Sequence, residues 1–229
     1  MVAGALAYPA KLERAAIIGL GGGRTAWYLH KSVPELSFTA AELDPEVAQI
    51  ADRFFSVRPE HNFDVEIKDG RVWLSHSDEK FDVILIDAYR GPFVPFHLLT
   101  KEFYALVKSR LNPGGVVVQN IEPSTMLFDS ATATLNSVFP AVDFYDGVEN
   151  VVAVGYDGPP LKQADLLARA AKAQQRYNLR YNLRSMVAER RVLKRPIGKV
   201  MTDDFAPVET LRAIEKNNRK WMEQTEAPR

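Results

Sequence analysis

Ala16-Ile17-Ile18-Gly19-Leu20-Gly21-Gly22-Gly23-Arg24-Thr25 is the stretch that decides the fold, and Ala41-Glu42-Leu43-Asp44 follows it after one further helix-sized segment. The first stretch is a short apolar strand that runs into a glycine-rich turn. Glycine lacks a Cβ, so the backbone can turn tightly there and come close to a ligand. In an open α/β sheet ligands bind outside the carboxyl ends of the strands, and an acidic residue after the second strand can bind both ribose hydroxyls. The two stretches predict a nucleoside pocket with Glu42 at the ribose.

The spacing of the glycines indicates the type of nucleoside. A dinucleotide fingerprint, Gly-x-Gly-x-x-Gly, would need a third glycine at position 24, where this chain has Arg24. The chain instead has Gly19-x-Gly21-x-Gly23, a spacing usual in S-adenosylmethionine-type pockets, which bind no pyrophosphate. We therefore expect an adenosyl sulfonium in the pocket. A purely structural turn is the alternative.

The composition is that of an ordinary globular protein, with 46% apolar and 25% charged residues in a chain of 229. Lys plus Arg and Asp plus Glu both number 29, which argues against nucleic acid as a partner. The absence of cysteine excludes disulfides and thiolate chemistry, and the four histidines lack metal-ligand spacing, so we expect no metal. No apolar run approaches the roughly 18 residues of a membrane span, and we expect a cytoplasmic protein.

Strands and helices alternate from Arg14 to about Tyr156, which predicts a mostly parallel seven-stranded sheet in a Rossmann-like, class I methyltransferase-type fold. The last two strands lie close together and predict an antiparallel hairpin at one edge. The predicted strands are 15–20, 37–43, 63–68, 81–87, 114–120, 138–145 and 150–156, and the predicted helices are 24–32, 45–55, 99–110 and 124–137.

The composition changes after Asp157-Gly158-Pro159-Pro160, and we divide the chain into a nucleoside-binding domain, 1–158, and a C-terminal helical extension, 159–229, packed on it. Residues 161–194 have helical periodicity, and the sequence Tyr-Asn-Leu-Arg at 177–180 recurs at 181–184. A four-residue repeat places like residues on nearly one face of a helix. We therefore expect a packed Tyr/Leu stripe with solvated arginines, and a final helix from about Pro207.

Four acidic residues follow four predicted strands in turn, namely Glu42, Asp69, Asp87 and Glu122. The carboxyl ends of neighbouring strands share one crevice in a doubly wound sheet, so these side chains are expected to converge. Asp69 with Gly70 could bind an adenine amino group, or could simply form a turn. Asp87 would lie nearest the reacting sulfonium, with a helix cap as the alternative.

Residues 14–156 resemble the catalytic domain of polyamine aminopropyltransferases (spermidine synthases), especially bacterial domains of this type that are fused to a membrane transporter-like region. The resemblance implies an aminopropyl transfer from decarboxylated S-adenosylmethionine to a small amine. Asp87 would match the first aspartate of the family's catalytic Asp-Ser-x-Asp-Pro loop. The motifs that carry the resemblance are Ile18-Gly19-Leu20-Gly21-Gly22-Gly23, Ala41-Glu42-Leu43-Asp44-Pro45, Asp69-Gly70-Arg71, Phe81-Asp82-Val83-Ile84-Leu85-Ile86-Asp87-Ala88-Tyr89, Val94-Pro95-Phe96-His97-Leu98-Leu99-Thr100-Lys101-Glu102-Phe103-Tyr104, Leu111-Asn112-Pro113-Gly114-Gly115 and Thr202-Asp203-Asp204-Phe205-Ala206-Pro207-Val208-Glu209.

We expect Tyr89, Arg90 and Glu122 to bind the acceptor substrate. At two positions the chain departs from the family pattern by carrying a positive side chain in place of a negative one. Arg24 stands where the family has an aspartate for the cofactor's amino group, and Arg90 stands where it has a second aspartate for the diamine. The family's N-terminal β-domain, which helps to form the amine site, is not found before Pro9.

We therefore expect an aminopropyl transferase whose cofactor site is kept and whose putrescine site is altered. Two alternatives remain open. One is transfer of a methyl or aminocarboxypropyl group from ordinary S-adenosylmethionine, whose carboxylate an arginine could bind. The other is a nucleoside-binding domain without catalysis. A homodimer also remains open.

Overall fold

The computed structural model describes residues 1–89, 94–124, 127–147, 150–177, 179–191 and 198–204. The described strands are β1 (Arg14–Ile18), β2 (Ser37–Glu42), β3 (Phe63–Ile67), β4 (Phe81–Ile86), β5 (Leu111–Ile121), β6 (Ala141–Asp146) and β7 (Val151–Tyr156). The described helices are α1 (Val2–Ala7), α2 (Arg24–Ser32), α3 (Pro45–Phe55), α4 (Gly70–His76), α5 (Lys101–Ser109), α6 (Phe128–Val138), α7 (Gln163–Arg176) and α8 (Leu183–Ala188), with a 3₁₀ turn at Phe96–Leu98.

The seven strands form one sheet in the order β3-β2-β1-β4-β5-β7-β6. Strands β1 to β5 pair in parallel, while β7 runs antiparallel between β5 and β6. The predicted Rossmann-like fold and its antiparallel edge are therefore confirmed. The strand order reverses between β1 and β4, and a ligand crevice is expected outside the carboxyl ends at this point.

The centre of the sheet is β4, all six of whose residues are buried. Its one charged residue, Asp82, is satisfied at the amino end of the strand: Oδ2 accepts from the Glu13 and Arg14 amides, and Oδ1 accepts from Asn112 Nδ2. A buried carboxylate needs such partners, because an unpaired one costs several kcal/mol. These bonds fix the amino end of β4 in the core, so the strand is a firm support for the residues that follow its carboxyl end.

Apolar side chains pack in two layers, one on each face of the sheet. One layer includes residues of α1, α2, α7 and α8, and the other includes residues of α4, α5 and α6. A buried polar cluster joins α1 to the C-terminal helices: Asp143 Oδ2 accepts from the Tyr8 hydroxyl at 2.8 Å, the Tyr156 hydroxyl at 3.1 Å and Arg190 Nη1 at 3.1 Å. Among the described residues, no helix has the length and apolar character required to cross a bilayer.

The C-terminal extension differs from its predicted form. The repeated tyrosines do not share a helix face, because α7 ends before Tyr177, whose backbone is extended, and α8 begins only at Leu183. Tyr177 is buried, whereas Tyr181 is 49% exposed. The physical reason lies in Asn182, whose side chain accepts from the Ser185 amide and starts a new helix. The final helix predicted from Pro207 lies outside the described residues.

Several other boundaries also differ from the sequence prediction. Helices α2 and α3 have the predicted bounds, but α6 begins at Phe128 rather than at 124. The short helices α1 and α4 were not predicted, because six or seven residues carry little periodicity.

Candidate active site

A cleft of about 1120 Å³ lies at the carboxyl ends of β1, β2 and β4, where the strand order reverses. This volume exceeds the usual range for small-ligand sites, so a nucleoside and an acceptor could bind together. The described residues that line it are 17–25, 41–45, 47, 69–70, 87–89 and 95–98.

The glycine loop brings the ends of β1 and β4 together. Gly19 has φ +89°, and a Cβ at this position would lie 2.6 Å from the Asp87 carbonyl oxygen and from the Ala88 Cα. Any larger residue would push the two strand ends apart. Gly21 also has a positive φ, +54°, but a Cβ there would meet no described atom within 4 Å. Gly21 therefore faces open space in the cleft, where a ligand could approach the backbone.

Glu42 shapes this loop. The side chain is buried, and its Oε2 accepts from the Leu20 amide at 2.8 Å and the Gly21 amide at 3.3 Å, while Oε1 accepts from the Asp44 amide at 3.0 Å. An ionised carboxylate can accept about four hydrogen bonds. Glu42 thus retains capacity for a ribose hydroxyl, and its role in holding the loop was not foreseen from the sequence.

Asp69 caps a helix and contacts a residue of the cleft wall. Its Oδ1 accepts from the amides of Arg71 and Val72 and so caps the amino end of α4, while Oδ2 lies 2.9 Å from Nε2 of His97. Gly70 packs directly against β1, since a Cβ there would lie 2.2 Å from Ile18 Cγ2. The turn interpretation of Asp69 is therefore part of its role. His97, which no sequence signal marked as functional, is its partner in the cleft wall.

Asp87 follows β4 and does not cap a helix, because Ala88 and Tyr89 are not helical. Its amide donates to the Ile18 carbonyl, which fixes the backbone against β1. Its Oδ1 accepts from Asn120 Nδ2 at 2.9 Å, and Asn120 Oδ1 in turn accepts from Asn150 Nδ2. Two amides from β5 and the start of β7 therefore orient the Asp87 carboxylate.

Tyr89 and Glu122, both expected to bind the acceptor, interact electrostatically with each other, and Tyr89 does so with Asp87. Burial raises the pKa of the Tyr89 hydroxyl above its usual range, and the charges of Asp87 and Glu122 raise it further. The three side chains are thus close enough to interact, although Glu122 does not line the cleft, and its Oε1 accepts from the Ser124 amide. Arg90, the remaining residue expected here, lies outside the described residues.

Arg24 begins α2 as an exposed residue and lines the cleft. It places a positive charge at the glycine-loop end of the cleft. In the described part of the chain, no three His, Asp or Glu side chains are grouped as metal ligands.

Comparisons with known proteins agree with this geometry. The Spermine/spermidine synthase domain family matches residues 3–146. A polyamine aminopropyltransferase of Vibrio vulnificus is 40% identical over 149 residues, which cover 64% of this chain and 49% of that protein. A probable polyamine aminopropyl transferase of Bifidobacterium longum is 29% identical over 235 residues, covering 90% and 51%. The chain thus spans about half the length of these two relatives.

Among solved structures, human methyltransferase-like protein 13 in complex with SAH superposes with a TM-score of 0.68. The two chains are 24% identical, and the match covers 91% of this chain and 96% of that one. This likeness supports the methyltransferase-type fold. The family match covers the sheet up to the end of β6 and every described residue of the cleft. The chain therefore belongs to the Spermine/spermidine synthase domain family.

Proposed function

We propose that this chain transfers an aminopropyl group from decarboxylated S-adenosylmethionine to a small amine and releases methylthioadenosine. The observation that carries the proposal is that one cleft is lined both by the glycine loop with Glu42 and by Asp87. The polyamine aminopropyltransferases to which the chain is related support the same class of reaction.

The adenosine would bind along the ends of β1 and β2. Glu42 has capacity for a ribose hydroxyl, and Asp69 and Gly70 line the cleft where an adenine ring would lie. The open space beside Gly21 suits the ligand's close approach to the loop. This arrangement would leave the sulfonium near Asp87.

In the reaction, the amine nitrogen attacks the aminopropyl carbon that is bonded to sulfur. A C–N bond forms from the nitrogen lone pair, and the C–S electron pair stays on sulfur, which leaves as a neutral thioether. The nitrogen then loses a proton, which Asp87 accepts as a general base. Because a sulfonium is already an activated leaving group, the protein mainly has to align a neutral amine with the target carbon.

The neighbours of Asp87 support this role. Asn120 donates to Oδ1 and so holds the carboxylate in one orientation. Tyr89 lines the cleft, and its hydroxyl oxygen can accept a hydrogen bond from an N–H of the acceptor amine. The charges of Asp87 and Glu122 favour an amine over an anionic acceptor.

The test is a product assay. The purified protein is incubated with decarboxylated S-adenosylmethionine and a panel of amines that includes putrescine and longer or branched diamines, and methylthioadenosine is measured by mass spectrometry. Amine-dependent methylthioadenosine, absent with Asp87→Asn, supports the proposal. Lack of product with every amine contradicts it.

A second candidate is favoured by Arg24, which lines the cleft and could bind the carboxylate of ordinary S-adenosylmethionine. The reaction would then be a methyl or aminocarboxypropyl transfer. The same assay with S-adenosylmethionine distinguishes these outcomes, because methyl transfer yields S-adenosylhomocysteine. Nucleoside binding without turnover of either co-substrate would indicate a non-catalytic domain.

A further inference from the structure

Arg71, in the first turn of α4, joins parts of the chain that are distant in sequence. Its Nη1 donates to the His97 carbonyl oxygen at 2.9 Å, to Thr100 Oγ1 at 3.3 Å and to Asp203 Oδ1 at 2.8 Å, and its Nη2 donates to Asp203 Oδ2. A paired contact of this kind fixes orientation as well as charge. Hydrogen bonding to Arg71 lowers the pKa of Asp203, so the pair is ionised at neutral pH.

The 3₁₀ turn Phe96–Leu98 is held to α4 at two points. The first is the bond from Arg71 to the His97 carbonyl, and the second is the contact between the His97 ring and Asp69. All three residues of the turn line the cleft together with Asp69 and Gly70. The position of this wall therefore depends on where the Arg71 guanidinium lies.

Asp203 is itself fixed by bonds that do not involve the cleft. Its amide donates to Glu102 Oε2. Met201, two residues earlier, is buried; its amide donates to Thr134 Oγ1, and its carbonyl accepts from the Lys101 amide. These contacts dock residues 201–203 on α5 and α6. Loss of the Asp203 charge would thus remove the counter-ion of Arg71 without releasing the segment.

We propose that Asp203 is a positioning residue for the adenosyl co-substrate. It acts through Arg71, which holds the turn Phe96–Leu98 as a wall of the cleft. The segment 201–203 is thereby coupled to the affinity for the co-substrate. The inference rests on the proposed function, because it assumes that an adenosyl ligand occupies the cleft. Without the Asp203 charge, Arg71 loses its paired partner and keeps only its bonds to the His97 carbonyl and Thr100 Oγ1, so the guanidinium and the turn are held less firmly. Binding of the adenosyl ligand must then order the turn, and this cost lowers the apparent affinity of the protein for that ligand.

The test uses Asp203→Asn, which keeps the size of the side chain and removes its charge. Dissociation constants for S-adenosylhomocysteine and methylthioadenosine are measured by titration calorimetry, together with the melting temperature. We expect both nucleosides to bind about 5- to 20-fold more weakly, within the usual range of coupling between sites. The melting temperature should fall by no more than about 4 °C, the effect of losing a partly exposed ion pair.

Two further variants serve as controls. Asp204→Asn makes the same charge change at the exposed neighbouring residue and should leave both dissociation constants unchanged. Asp203→Glu keeps the charge and should restore most of the affinity. Hydrogen exchange gives a readout without ligand: the amides of Leu98 and Leu99, which donate to the carbonyls of Pro95 and Phe96, should exchange faster in Asp203→Asn.

The outcomes separate this inference from the proposed function. If the unmodified protein turns over its co-substrate but Asp203→Asn binds both nucleosides as tightly as Asp204→Asn does, the inference is overturned and the proposed function stands. Unchanged exchange at Leu98 and Leu99 overturns it as well. If the unmodified protein binds neither nucleoside, the proposed function fails, and the coupling fails with it.

Discussion

Asn120 Nδ2 donates to Asp87 Oδ1 at 2.9 Å, and this bond joins the carboxyl ends of β5 and β4 behind a residue that lines the cleft. Asn120 is itself held by Asn150, so its amide nitrogen is directed at the carboxylate. The bond restricts the orientation of a carboxylate that lines the cleft.

The first prediction concerns this bond. Asn120→Ala removes a hydrogen bond to a charged group, worth about 1.5–3 kcal/mol, and should lower kcat about 10- to 100-fold. The dissociation constant for S-adenosylhomocysteine should change little, because Asn120 does not line the cleft. Steady-state kinetics and titration calorimetry check this, with Asn136→Ala in α6 as the matched control. A rate equal to that of the control would contradict it.

A second prediction concerns Glu42. Glu42→Gln replaces an oxygen acceptor with an amide that cannot serve both the loop and a ribose, so adenosyl ligands should bind about 1–3 kcal/mol more weakly. Titration calorimetry measures the loss. Glu46→Gln, an exposed change in the first turn of α3, is the control. Unchanged affinity in Glu42→Gln would show that the carboxylate serves the loop alone.

The third prediction separates chemistry from binding at Asp87. Asp87→Asn keeps the shape of the side chain and removes the general base, so kcat should fall about a hundredfold or more. Affinity for the co-substrate should move little. Pre-steady-state kinetics with saturating amine measure the chemical step. A loss of affinity with an unchanged rate would assign Asp87 to binding instead.

The fourth prediction concerns the acceptor and the positive charge at the cleft. Arg24 places a cation beside the pocket, and with Arg90, whose structure is not described, it stands where the family resemblance implies acids. We expect putrescine to be a poor acceptor, since like-charge contact with an ammonium costs on the order of a few kcal/mol. Arg24→Asp should raise putrescine turnover at low ionic strength. Robust spermidine formation by the unmodified protein would contradict this charge argument.

The fifth prediction concerns pH. Burial raises the pKa of the Tyr145 hydroxyl to about 12, against an ordinary value of 10.0, so the folded state favours the neutral form. The corresponding stability is fully present below about pH 10 and is lost as the pH rises through about 12. The loss of folding free energy can reach about 3 kcal/mol, because this is the free energy that corresponds to a pKa difference of about two between the folded and unfolded states. Urea titrations between pH 9 and about 12 should show a shallower decline for Tyr145→Phe than for the unmodified protein.

The sequence predicted the cleft because its main signals are local. The glycine loop, Glu42 and Asp87 each stand directly at the end of an apolar strand, and the topology brings such ends together. The same rule predicted Asp69 and Glu122, although Glu122 does not line the cleft.

The remaining parts depend on contacts that no local pattern encodes. Asn120 lies 33 residues from Asp87, and Asp203 lies 132 residues from Arg71. A signal for Asn120 was nonetheless available, because it is a polar residue at the carboxyl end of an apolar strand adjacent to β4. The tyrosine repeat was misread since a four-residue period says nothing about where a helix ends. The capping residue Asn182 was the better guide.

The cluster around Asp143 links the end of α1 to the segment after α8 through one buried carboxylate. A single oxygen of Asp143 binds Tyr8, before β1, and Arg190, after α8. Breaking a buried ion pair by removing one partner costs about 3–5 kcal/mol. Cleavage of the chain between α7 and Arg190 would therefore also weaken the packing of α1, because Tyr8 and Arg190 bind the same carboxylate. A shortened chain that ends before Arg190 would keep the buried Asp143 carboxylate and lose its cationic partner.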